Sequence, residues 1–383
     1  MADPGGIPFG HFSLGKRLAR GGMAEVFLAR QRGPEGFERR VAVKRILPHL
    51  ADAADFVRMF LDEARLAARL SHPNIVHIYE LGNVAGDYFI AMEYVDGIHA
   101  GQLIKHAEHE PVPPELVARI GADAAGALAY AHRLTDADGR LLQLVHRDVS
   151  PQNIMVSTDG IVKLVDFGIA KAVSKAEETR PGVVKGKYAY MSPEQTTGKP
   201  LDGRSDVFSL GVVLWEILAG RNIVERGDVV EAMKAMRDGR FKSIREVAPK
   251  TPAKLADAVT RALTLRKEDR PTATQLQVML EEYIKGARGL ATPVQLAEWI
   301  RPRFPLGQAT GAAEEPAPVV APRVAATAAM PVRPARPATE RADVTSDPAA
   351  ISIAISVPGI AALPERGREA AGARREAGAR DER

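Results

Sequence analysis

Four short segments of this 383-residue chain carry side chains whose types and spacing could do chemistry, and their order along the chain matters more than any one of them. They are Gly21-Gly22 between two strand-like runs, Lys44 at the end of VAVK, His146-Arg147-Asp148 followed by Asn153, and Asp166-Phe167-Gly168. A glycine pair at a hairpin tip lets backbone N–H groups approach dense negative charge with no Cβ in the way, although alone it reads as an ordinary turn. Lys44 follows Val41, Ala42 and Val43. If it faces inward it needs an anionic partner; otherwise it points to solvent from a strand end. Glu63, on a helical stretch, falls on the turn between Phe60 and Ala67 and fits that need, whereas the adjacent Asp62 is rotated about 100° away. Asp148 and Asp166 bear carboxylates and Asn153 an amide oxygen. Two isolated aspartates would carry no argument; an ordered set does.

With HRDVSPQN, DFG and VAVK in this order, the chain from about Phe12 to Tyr283 resembles the protein kinases, specifically the eukaryotic-like serine/threonine kinases of bacteria. The resemblance implies an α+β, bilobal fold with a small antiparallel N-lobe sheet, one key helix and a larger, mainly helical C-lobe. It implies ATP and Mg²⁺ as cofactors and Ser or Thr hydroxyls of proteins as acceptors. By the same resemblance the run Leu18-Ala19-Arg20-Gly21-Gly22-Met23-Ala24-Glu25-Val26 covers the phosphates. Lys44 holds the α- and β-phosphates and Glu63 holds Lys44. Asp148 accepts the substrate hydroxyl proton, and Asn153 and Asp166 ligate Mg²⁺. Met92 is the gatekeeper, main-chain groups of Glu93 and Val95 meet adenine, and Ala42, Val26 and Met155 sandwich the ring. Ser192-Pro193-Glu194 matches the family's A-P-E, with Arg270 as the partner of Glu194. Asp206 either accepts hydrogen bonds from the backbone of the catalytic loop or caps a helix, or both.

The chain departs from the family pattern at four places. Ala19 and Ala24 replace the first and third loop glycines, which puts tight phosphate clamping in question. Ser150 and Lys187 stand where most relatives carry Lys and Thr, a reciprocal pair of changes. The expectation is that Lys187 reaches toward the active site and supplies the missing charge, with the Ser150 hydroxyl as its local partner; the alternative is a surface residue tuning substrate preference. Arg147 beside Asp148 calls for an anion, for which phosphate on Thr179 or Ser174 is the family's usual answer. Autophosphorylation there would take a transient homodimer. The competing reading is a pseudokinase, a nucleotide-binding scaffold without phosphotransfer.

The elements that must position these residues follow from periodicity. Phe12–Leu18, Glu25–Arg30, Arg40–Leu47, Ile75–Tyr79 and Tyr88–Met92 read as strands, interrupted by a helix over Phe56–Leu70. Beyond Gly97 the pattern turns helical, with Pro114–Leu134, Asp206–Leu218, Pro252–Leu263 and Ala273–Tyr283 as helices. The expected organisation is an extension over 1–11, a kinase-like domain over 12–285 divided into lobes 12–95 and 96–285, and a short extension of the C-lobe over 286–306. The remainder, 307–383, is an Ala/Pro/Arg-rich tail expected to be disordered.

Composition narrows the classes further. The 52 Lys and Arg nearly balance 48 Asp and Glu, so nothing requires a nucleic-acid partner. With no cysteine, a disulfide framework and a thiolate metal site are excluded. His106 and His109 lie three apart without a third ligand nearby and read as an exposed helix face rather than a zinc site. The first ten residues form no signal peptide, and Ala349–Leu363 is too short and too interrupted to span a bilayer. A soluble, cytoplasmic protein is the expectation.

Overall fold

The computed structural model describes residues 6–167, 187–225, 228–287 and 291–305. The residues from Gly6 to Glu93 build an antiparallel sheet from β1 (Ile7–Phe9), β2 (Phe12–Arg20), β3 (Ala24–Arg32), β4 (Glu38–Ile46), β5 (Ile78–Val84) and β6 (Asp87–Glu93), in the order β1-β2-β3-β4-β6-β5. Successive side chains of a strand point to opposite faces. Val41 and Val43 of β4 therefore pack with Phe9, Phe12 and Phe89 in one apolar cluster, while Ile46 joins Phe60, Ala64 and Ile90 in another. Lys44 shares the parity of Ile46, which turns it toward the helix carrying Phe60. That helix, α1 (Ala54–Ala67), buries Phe60 and Ala64 against the sheet.

Two stretches differ from their sequence reading. The segment expected to precede the domain supplies the edge strand β1, because Phe9 is apolar enough to be buried against Phe89, with ring centroids 5.3 Å apart. The strand expected over Ile75–Tyr79 begins only at Ile78. Its first half pairs with the other lobe instead: the Val76 N–H donates to the Leu164 carbonyl, and the Leu164 N–H to the Asn74 carbonyl.

Past Glu93 the chain does not turn helical at once. A short sheet of β7 (Gly97–His99), β8 (Ile154–Ser157) and β9 (Val162–Leu164) intervenes, in that order. The helices are α2 (Ala100–Ala107), α3 (Pro114–His132), α4 (Pro193–Thr196), α5 (Arg204–Ala219), α6 (Val229–Asp238), α7 (Ile244–Val247), α8 (Ala253–Ala262), α9 (Ala273–Gly286) and α10 (Pro293–Arg303). They enclose one large apolar cluster centred on α3 and α5. His106 is half-buried rather than exposed, since its ring packs 5.3 Å from that of Trp299 on α10.

α5 is buried on nearly all sides, so each of its polar side chains must have a partner. Ser205 donates to Glu194, and Ser209 donates to the Tyr190 carbonyl. Glu216 accepts from the Tyr190 hydroxyl at 2.7 Å and from the Ile223 N–H at 3.0 Å. The stretch from Lys187 to Glu194 is thus fastened to α5 along its length. Glu194 also takes two hydrogen bonds from the buried Arg270 guanidinium, at 2.7 and 3.2 Å. Arg270→Met leaves Glu194 buried without its cation and is expected to destabilise the fold by about 3–5 kcal/mol, read as a lowered denaturant midpoint. A midpoint equal to wild type would show that the pair contributes nothing.

Candidate active site

The glycine pair sits at the tip of the β2–β3 hairpin, where the Gly21 N–H donates to the Ala24 carbonyl at 2.8 Å. Neither glycine adopts a positive φ. A Cβ on Gly22 would meet nothing within 4 Å, and one on Gly21 would only touch the Ala24 carbonyl at 3.6 Å. The fold itself therefore does not require glycine here, and the open tip suits a group that approaches the backbone closely. Ala19 and Ala24 lie on the flanking strands, Ala24 buried against Ile46.

Below the hairpin, the Lys44 ammonium lies 3.1 Å from Glu63 Oε1 and 3.0 Å from Asp166 Oδ1. Asp62 instead pairs with Arg65 on the outer side of α1, as its rotation predicts. Burial opposes the charge on Lys44, but Asp166 and Glu63 outweigh it and hold the amine above the ordinary lysine value. Burial pushes the Glu63 carboxyl up despite Lys44. Desolvation also pushes Asp166 up, but the charge and hydrogen bond of Lys44, aided by Lys187, win and hold it below the usual aspartate value. Of its side chain 40% is exposed to the cleft.

The loop carrying Asp148 is set by buried contacts. Asp206 accepts from the backbone N–H groups of His146 and Arg147, both at 2.8 Å, and contacts His132 Nε2 at 2.8 Å. Because α5 begins at Arg204 with Gly203 before it, Asp206 is not its cap, so the hydrogen-bonding role alone applies. His146 is fully buried, and that burial lowers its pKa. Its Nδ1 faces the Asp148 N–H at 3.3 Å and its Nε2 the Val165 carbonyl at 3.2 Å, which places the single proton on Nε2. Arg147 and Asp166 both adopt positive φ, 65° and 54°, a region that costs a non-glycine residue energy.

Asn153 Nδ2 donates to the Asp148 carbonyl at 2.8 Å and to its carboxylate at 3.1 Å, which leaves the amide oxygen directed elsewhere. Among the described residues no cluster of three His, Cys, Asp or Glu could hold a metal ion alone. An amide oxygen and one carboxylate fit Mg²⁺, which commonly completes its shell with water and substrate phosphates. Where the resemblance puts adenine, the Glu93 N–H already donates to the His77 carbonyl at 2.8 Å, so of its main-chain groups only the carbonyl could meet a base. Val95 follows in the link to β7; Met155 on β8 pairs with His99. Ala42 pairs with Met92 and Val26 with Lys44 across the sheet, and Met92 lines a narrow cavity with Lys44, Glu63 and Phe167.

Lys187 Nζ lies 2.7 Å from Asp148 Oδ2, so the expected reach toward the active site is present. The expected partner is not Ser150: that side chain is buried, and its hydroxyl has no hydrogen-bond partner among the described residues. Its short chain turns into the loop, whereas Lys187 meets the carboxylate directly. Gly168, Ser174 and Thr179 lie outside the described residues. One linkage escaped the sequence reading: Lys163 of β9 donates to Glu93 at 2.8 Å and ties the adenine end to the strand leading into Asp166. Its signal was a lysine among apolar strand residues, IVKLV, the same pattern that singled out Lys44.

Lys44→Met should raise the Asp166 carboxyl toward its ordinary value of about 3.9 and Glu63 further above its own. A depressed carboxyl stabilises the fold above its unfolded pKa and loses that contribution as pH falls through the folded value. The variant should therefore lack the Asp166 share of acid-side stability loss, observable by carboxyl ¹³C NMR titration; an unmoved Asp166 resonance midpoint would contradict the assigned cause.

The model of the protein kinase domain matches residues 12–282. The chain is 46% identical over 287 residues to the tyrosine-protein kinase MasK of Myxococcus xanthus, covering 73% of this chain and 44% of MasK. It is 42% identical over 215 residues to the serine/threonine-protein kinase PknB of Mycobacterium tuberculosis, covering 55% of this chain and 32% of PknB. The chain thus spans less than half the length of these relatives. The crystal structure of the Mycobacterium tuberculosis PknI kinase domain superposes with a TM-score of 0.54 at 29% identity, covering 74% of this chain and 99% of that one. Together with an ammonium bridging helix α1 and the Asp-Phe-Gly aspartate, these matches mean that the chain belongs to the protein kinase domain family.

Proposed function

We propose that the protein is a serine/threonine protein kinase that transfers the γ-phosphoryl group of Mg²⁺-ATP to hydroxyls of protein substrates, its own chain included. The observation that carries this reading is the Lys44 ammonium held at once by Glu63 and Asp166. In the reaction the substrate hydroxyl oxygen bonds to the γ-phosphorus as the bond to the β–γ bridging oxygen breaks. Asp148 takes the hydroxyl proton, and ADP leaves. Lys44 orients the α- and β-phosphates, Glu63 fixes Lys44, and the hairpin tip around Gly21 and Gly22 offers backbone N–H groups. Bound Mg²⁺ supplies charge neutralisation at the phosphate oxygens; Asn153 and Asp166 would hold it. Thr179 and Ser174 are the proposed phosphorylation sites, modified through a transient homodimer, and a cytoplasmic location suits such a kinase. No helix among the described residues is long and apolar enough to cross a membrane.

Support for Ser/Thr acceptors comes from Ser192-Pro193-Glu194-Gln195, where tyrosine kinases carry an aromatic-rich P-[IV]-K-W segment, and from the names of PknB and its like. The name of MasK favours a second reading, transfer to tyrosine. Incubating the full chain with γ-labelled ATP and a general protein acceptor, followed by phosphoamino-acid analysis, separates the two. Label in phosphoserine or phosphothreonine is expected, with transfer by Asp148→Asn reduced at least about 10²-fold. Label in phosphotyrosine alone would refute the acceptor class, and equal transfer by Asp148→Asn would refute the mechanism.

A further inference from the structure

A cation that meets the proposed proton acceptor directly does not come from the loop that carries it. Lys187 Nζ is 2.7 Å from Asp148 Oδ2, and a third of its side chain is exposed to the cleft. Ser150, two residues after Asp148, is 1% exposed and uncharged, and its hydroxyl has no hydrogen-bond partner among the described residues.

What holds Lys187 in place lies three residues downstream. The Tyr190 hydroxyl donates to Glu216 at 2.7 Å and the Tyr190 carbonyl accepts from Ser209 at 2.7 Å, so both ends of this tyrosine are fixed to α5. A second tie joins the two segments, with Gln195 Nε2 donating to the Arg147 carbonyl at 3.0 Å. α5 also carries Asp206, which sets the backbone of the catalytic loop. One buried helix therefore aligns a lysine and an aspartate that arrive from separate stretches of chain.

We propose that Lys187 is the cation that meets the transferring phosphoryl group, and that Tyr190, Ser209 and Glu216 are its positioning residues. The inference rests on the kinase reading above and deepens it, because the charge needed at the moment of transfer comes from the stretch Lys187–Glu194 rather than from the catalytic loop. Lys187 stays protonated throughout. The substrate proton goes to Asp148, and the ammonium offsets negative charge on the non-bridging oxygens of the phosphoryl in flight.

The test uses the full chain as wild type, Lys187→Met, Lys187→Arg, Tyr190→Phe and the Lys187→Met/Tyr190→Phe double variant, each checked for a wild-type melting curve. Lys187→Met should lower kcat about 10²-fold, and Lys187→Arg should recover most of it. Without turnover, Lys187→Met should weaken binding of a non-hydrolysable ATP analogue about tenfold while leaving ADP affinity unchanged, measured by calorimetry. Tyr190→Phe should lower kcat in the wild-type background and not further in Lys187→Met, whereas a merely structural tyrosine would give additive losses. A Lys187→Met rate equal to wild type, a rate above it because the lysine was blocking Asp148, or equal weakening of both nucleotides would overturn the proposal. If wild type transfers no phosphate at all, the kinase reading falls, and the ratio of the two dissociation constants still decides whether Lys187 meets the third phosphate.

Discussion

The ammonium of Lys44 lies between two carboxylates from distant parts of the chain, one on helix α1 and one at the end of β9. Its desolvation would disfavour the charge, and the two carboxylates together outweigh that. The constraint reaches outward from there. The parity of β4 must aim Lys44 at α1, α1 must bury Phe60 and Ala64 so that Glu63 faces inward, and Asp166 must adopt a positive φ to present its oxygen. A fault in any of these leaves a charge without its counterpart inside the cleft. This one contact therefore links the placement of the N-lobe helix to the geometry of the phosphate end.

A second axis runs through α5. A helix that is apolar nearly all round tolerates few polar side chains, and four of them engage the segments that carry the candidate site. Asp206 fixes the loop of Asp148, Ser205 supports Glu194, and Ser209 and Glu216 fix Tyr190. The site is assembled from loops, but their registration derives from one buried helix.

The strands and helices were legible because apolar periodicity is strong in this chain, and the pairs Lys44–Glu63 and Glu194–Arg270 were legible because their charges could not be buried alone. The edge strand β1 was too short to show a period, and β7 was hidden by the helix that follows it directly. Ile75 reads as a strand of the first sheet, but no local signal says that its backbone pairs across the lobes with Leu164. The partner of Lys187 was misjudged for a related reason. Sequence places Ser150 close to Asp148 but is silent on which way a side chain turns, and here the hydroxyl turns into the interior. The link between Lys163 and Glu93 spans 70 residues, beyond the reach of any local pattern.

Helix α10 lies past the last residue matched by the family model, yet it is sewn to the body of the lobe. Arg301 donates to the Thr158 carbonyl and to Asp159, and Arg303 to Glu110. Gly160, at a φ of 77°, packs so closely beneath Pro293 that no Cβ could be accommodated. The Thr158 N–H in turn donates to the carbonyl of Asp96, just past the link from β6. A mechanical load applied to the chain beyond Phe304 would be shared between the helical lobe, through Arg303 on Glu110 and the buried side chains of α10, and the β8–β9 turn, through Arg301, so that part of any tug reaches the crossing between the lobes.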